Sequence, residues 1–122
     1  MKKKLLAFVF VLFSIPLFAQ MRNGANAALV SWTKDGAETG MTDKVTNAVI
    51  QLDGNNVQYT LQVRGEDPVV FKFNRLTKRL HVERSGKLVL STLAGYAESG
   101  SNSNLSYTDE NNAAHVLKFR RK

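Results

Sequence analysis

The sequence predicts an all-β domain, a small antiparallel meander of about eight strands closed or partly closed into a β-barrel, with a two-sheet β-sandwich as the alternative. Beyond residue 26 the apolar positions recur with period two, and no stretch sustains the 3.6-residue spacing of a helix. Where two such runs are separated by a short connection containing Gly, folding the chain back there superimposes their apolar faces. The chain has 122 residues and no Cys, so one hydrophobic core, without disulfides, must stabilise the domain.

The first 19 residues read as a secretory signal peptide. Lys2, Lys3 and Lys4 form a positive leader, Leu5 to Phe18 form an apolar run broken by Pro16, and Ala19 supplies a small residue before a cut at Gln20. An uncleaved anchor is disfavoured because a run of about 15 residues falls short of the roughly 20 that a spanning helix needs. No Cys follows it for lipid attachment. The expectation is an exported protein, periplasmic or secreted, with no transmembrane helix after cleavage. Residues 20–26 (QMRNGAN) carry no alternating face and are expected to be flexible, and residues 27–122 to form the single domain.

The strands of that domain follow in order. Ala27 to Thr33 opens it, and Lys34 to Asp43 (KDGAETGMTD) is expected to be a long loop. Ala48, Ile50 and Leu52 then alternate with polar or smaller contributors, and a Gly54-Asn55 turn sets Asp53 opposite Asn56 and Leu52 opposite Val57. Val57 to Arg64 is the clearest strand, apolar at every odd position and polar at every even one. A five-residue loop from Arg64 to Pro68 sets Val63 opposite Val69, which brings Phe71 and Phe73 inward. A turn over Asn74 to Lys78 returns the chain as Arg79 to Glu83, with Leu80 and Val82 inward.

At the next turn the pattern favours a three-residue loop, Arg84-Ser85-Gly86, pairing Glu83 with Lys87 and Val82 with Leu88. A two-residue Ser-Gly turn would set Leu88 against Glu83. Gly95 to Asn104 (GYAESGSNSN) reads as a second long loop, followed by strands at Asn104 to Thr108 and Ala114 to Arg121, the last with Leu117 and Phe119 inward. The inner face, with Leu88 and Leu90 included, is rich enough in Leu, Phe and Tyr that a filled interior is expected, although a barrel of this size can also hold one small ligand.

Charge is segregated along the chain. Its 17 Lys plus Arg stand against 10 Asp plus Glu; without the three leader lysines that leaves 14 against 10, a mature net charge of +4. Such a balance, in an exported chain, gives little support to nucleic-acid binding. Ten of those 14 basic residues fall between Lys72 and Lys87 or between Lys118 and Lys122, with only Glu83 among them. The expected partner-binding set is Lys72, Arg75, Lys78, Arg79, His81, Lys118, Arg120 and Arg121, with Lys72, Arg79 and His81 on the outer face of adjacent strands. Basic residues also keep strand edges soluble, which is the competing explanation.

Chemistry finds no support. There is no G-x-S-x-G, no H-E-x-x-H and no glycine-rich phosphate loop. His81 and His115 are too far apart for a short-spaced metal site, so no metal, cofactor or catalytic residue is assigned. Glu66-Asp67 and Asp109-Glu110 read as turn residues, His115 as a satisfied polar group at the inner rim, and Trp32 as a core plug. The leading expectation is a non-catalytic exported binding protein whose basic face engages an anionic macromolecule or envelope component: a protein, a glycan or lipid head groups. The alternative is a lipocalin-like carrier of a small apolar ligand in the barrel interior. A structural or assembly subunit ranks third, and an enzyme last.

Overall fold

In the computed structural model, which describes residues 24–122, the chain forms a closed antiparallel β-barrel. The strands are β1 (Gly24–Lys34), β2 (Ala37–Glu38), β3 (Val45–Asp53), β4 (Asn56–Val63), β5 (Val69–Asn74), β6 (Arg79–Arg84), β7 (Lys87–Ser99), β8 (Asn102–Thr108) and β9 (Ala114–Arg121), with a one-turn helix α1 (Met41–Lys44) before β3. Eight of them close the barrel in the order β1-β3-β4-β5-β6-β7-β8-β9, and β9 returns to pair with β1. The two-residue β2 is an extra strand paired with the end of β1. The expected meander is therefore a barrel and not a sandwich. The segment expected to be a signal peptide, residues 1–19, lies outside the described residues.

Several boundaries differ from the expected ones. β1 begins at Gly24, where Gly24, Ala25 and Asn26 pair with Gln51, Ile50 and Val49, so part of the segment expected to be flexible is strand; residues 20–23 lie outside the described residues. Neither expected long loop is one. Lys34 to Asp43 contains a tight Asp35-Gly36 turn into β2 and the start of α1. Gly95 to Asn104 is mostly strand, because β7 runs to Ser99 and a Gly100-Ser101 turn leads directly into β8. Its Gly, Ser and Asn residues lack apolar alternation, yet Tyr96 and Ser103 keep the inward parity.

The Gly54-Asn55 hairpin has the expected register, Asp53 with Asn56 and Leu52 with Val57. The β4–β5 connection does not. Leu61, and not Val63, faces Val69, a shift of two residues that leaves the apolar faces matched. Val63 pairs with Val45 alone, and the Arg64 N–H donates to the Lys44 carbonyl at 2.8 Å, so the end of β4 continues along β3 while β5 starts only after Pro68.

The β6–β7 turn is the two-residue form. Ser85 and Gly86 both take positive φ, 56° and 75°, the signature of a type I′ turn, and Arg84 pairs with Lys87. Leu88 then stands opposite Glu83 and is 54% exposed. A bulge restores the parity one step later, so that Leu90 faces Val82 and Val89 becomes the surplus, exposed residue. The apolar pattern was satisfied by a bulge inside the strand, not by a longer loop. Val30 is exposed for the same reason, at the bulge between Leu29 and Ser31, and a third irregularity lies between Val45 and Asn47. Such bulges bend strands, as closing eight of them requires.

Inward side chains fill the barrel. Tyr59, Phe71, Phe119, Leu61, Leu80, Leu105 and Leu117 are fully buried. Tyr59 stacks on Phe119 across the interior at 4.1 Å between centroids, and Trp32 meets Phe71 edge-on at 5.7 Å. Phe71→Ala should therefore cost about 3 to 5 kcal/mol, whereas Leu88→Ser should change stability by no more than about 0.5 kcal/mol. Urea denaturation midpoints of the two variants check the register of β5 and β7 together, and equal losses would place Leu88 inside.

Candidate functional site

Outward residues of β3 to β6 are brought into line by the observed register. Gln51 stands beside Gln58, Gln58 beside Lys72, Lys72 beside His81, and His81 beside Ser91 on β7. Two adjoining hollows open along this face. One of about 260 Å³ is lined by Gln51, Asp53, Asn56, Gln58 and Lys72, and another of about 280 Å³ by Asn56, Lys72, Asn74, Thr77, Arg79 and His81. They share Asn56, Lys72 and the edge of Phe73. Polar outward residues around an apolar interior are the reverse of the alternation in a lipid-embedded barrel.

Local chemistry shapes the hollows. Asn74 ends β5 as an Asx turn, its Oδ1 accepting the N–H groups of Leu76 and Thr77 while its Nδ2 donates to Asn56 Oδ1 at 3.2 Å. Gln58 Nε2 donates to Gln51 Oε1 at 3.1 Å. Lys72 Nζ pairs with Glu83 at 3.1 Å, both partly exposed. Arg79 and His81 form no hydrogen bond or ion pair through their side chains among the described residues, so both are available to a ligand.

The expected partner-binding residues divide into groups. Lys72, Arg79 and His81 share the β5–β6 face, as expected. Arg75 and Lys78 lie in the turn at one end of it, but Arg75 is committed to Glu98 at 3.2 Å and lies 5.6 Å above the Tyr96 ring. Lys118 and Arg120 are exposed on β9, three strands from β6 in one direction and four from β5 in either, so they belong to the far side of the barrel. Arg121 closes β9 opposite Ala27. Sequence proximity of basic runs does not bring them to one surface.

His115 belongs to a separate network at the opposite end. Trp32 Nε1–H donates to His115 Nδ1 at 3.0 Å, and since indole is only a donor, that nitrogen carries no proton. The proton is on Nε2, which donates to Asp109 Oδ2 at 2.8 Å, and Tyr107 stacks on the imidazole at 4.7 Å. In this arrangement the indole occupies the place where a nucleophile would meet the base, so the His–Asp pair fastens the structure. Burial raises the Tyr107 hydroxyl above its ordinary value, with the Asp109 and Glu110 charges adding to it. The carboxyl of Asp109 is held down to about 2 from 3.8, first by the His115 N–H and then by the Ala113 N–H.

Sequence reading missed Gln51, Asp53, Asn56, Gln58, Asn74 and Thr77 as lining residues, and Trp32 and Asp109 as partners of His115. Outward parity on β3 and β4 was the available signal for the glutamines. No signal along the chain joins residues 83 apart. Compared with protein-family models, curated proteins and solved structures, the chain matches none.

A carboxyl whose folded value lies below its unfolded one stabilises the fold above the unfolded value, and that contribution is lost as pH falls through the folded value. The stability difference between wild type and Asp109→Asn should thus be constant at neutral pH and shrink as pH falls from 3.8 toward 2. Thermal denaturation across that range checks it; a difference independent of pH would remove Asp109 from the account.

Proposed function

We propose that the protein is an exported, non-catalytic binding protein whose outer β5–β6 face engages an anionic partner. The observation that carries this reading is the clustering of Lys72, Arg79 and His81 around one hollow, with the Arg79 and His81 side chains unpartnered among the described residues. Surface cations kept only for solubility have no need of a shared concavity. Engagement of both ring nitrogens of His115 supports the non-catalytic part. The packed interior, with Tyr59, Phe71 and Phe119 at its centre, supports an outer working surface over a carrier with its ligand inside.

The division of basic residues provides the control. Lys72→Glu with Arg79→Glu should abolish capture of the anionic partner from an envelope fraction, and wild-type capture should weaken between low and physiological salt, where exposed charges are screened over about 8 Å. Lys118→Glu with Arg120→Glu, on the far side, should leave capture intact. Pull-downs of the three proteins at two salt concentrations test this, and an identical recovered set throughout would refute it.

A further inference from the structure

We propose that the face spanning β3 to β6 binds an acidic glycan in which charged and neutral sugars alternate, the acid over Lys72, Arg79 and His81 and the neutral ring over Gln51, Asp53 and Gln58. This rests on the reading of the basic face as the working surface and adds the class of ligand to it.

The two hollows differ in chemistry although they adjoin. One is a donor site: Arg79 and His81 are unpartnered, Lys72 is half-exposed beside them, and Asn56, whose Oδ1 is taken by Asn74, keeps its Nδ2 to donate. A carboxylate there can accept from the planar guanidinium in bidentate fashion, which a hydroxyl cannot. The other hollow shares Lys72 and Asn56 with the donor site but lacks Arg79 and His81, and adds Asp53, which forms no ion pair among the described residues, and the amide side chains of Gln51 and Gln58. Gln51 Oε1 already accepts from Gln58, so the Asp53 carboxylate and the Gln58 oxygen are the acceptors for sugar hydroxyls, and the Asp53 charge opposes a second anion.

Scale keeps the two ends distinct. Asp53 on β3 and Arg79 on β6 are three strand spacings apart, about 14 Å, and charges separated beyond roughly 8 Å are screened in physiological salt. A small ion such as phosphate fills only the donor end, and a polymer charged on every unit meets Asp53. A chain that places one neutral unit beside each acid satisfies both hollows.

The test is calorimetric titration of the purified protein with four probes: a tetrasaccharide alternating glucuronate with N-acetylglucosamine, a polyuronate tetrasaccharide with a carboxylate on every ring, inorganic phosphate, and phosphatidylglycerol vesicles. The alternating glycan should bind saturably and more tightly than the other three. Arg79→Gln should weaken it about tenfold, the scale of one charge-assisted hydrogen bond, and Lys118→Gln should not change it. Asp53→Asn should weaken the alternating glycan while improving the polyuronate by about threefold, as expected for removal of one partly screened repulsion. Preference for polyuronate, phosphate or vesicles by the wild type, or indifference to Arg79→Gln, overturns the proposal. If the alternating glycan fails while Lys72→Glu with Arg79→Glu still abolishes envelope capture, only the ligand class falls; if capture is also unaffected, the basic-face reading falls with it.

Discussion

Pairing of the first and last strands of the barrel is the constraint on which the rest of the structure depends. β1 runs against β9 from Ala27 with Arg121 to Lys34 with His115, and without that seam both strands would be open edges with unpaired backbone groups. The seam is fastened at both ends. At one, Trp32 donates to His115, and Asp35 exchanges hydrogen bonds with Ala114 through its N–H at 2.7 Å and its Oδ1 at 2.8 Å. At the other, the Lys122 N–H donates to the Asn26 carbonyl at 3.0 Å. The Trp32–His115–Asp109 series therefore has a structural task beside these backbone bonds, and it accounts for a half-buried carboxylate and imidazole at one end of the seam.

Closure also determines which surface faces solvent. With eight strands the interior is narrow enough for Tyr59, Phe71, Phe119 and the leucines around them to fill it, which leaves the polar side chains on the outward rows. On those rows the twisted sheet aligns Gln51, Gln58, Lys72 and His81 from four consecutive strands, an arrangement no single segment of chain could present. Ion pairs then sort the cations. Lys72, Arg75 and Arg84 each have a Glu partner, while Arg79 has none among the described residues, so Arg79 contributes the uncompensated charge of the face.

Much of the fold was legible because its period is two: the inward positions of β4, β5, β6 and β9 follow from alternation alone, and the Gly54-Asn55 turn fixes one register outright. The errors share a cause. A loop such as Arg64 to Pro68 conserves facing while leaving register free by two residues, so Lys72 would have been set beside Thr60 instead of Gln58, and the hollow between them could not be foreseen. At the β6–β7 turn, alternation read strictly demanded a three-residue loop because a bulge at Val89 leaves no mark in the apolar pattern. The basic side of the site was visible in composition, but not its division across opposite sides of the barrel, which depends on strand order around a closed sheet.

Amide hydrogen exchange followed residue by residue tests the closure most directly. A closed barrel predicts that the amides of Trp32 on β1 and Leu117 on β9 exchange only through global unfolding, with the same opening free energy and denaturant dependence as those of Tyr59 and Phe71 on β4 and β5. Exchange of the β1 and β9 amides through a separate, lower-energy opening while β4 and β5 stay protected would show that the seam is a pair of edges, and would contradict the account.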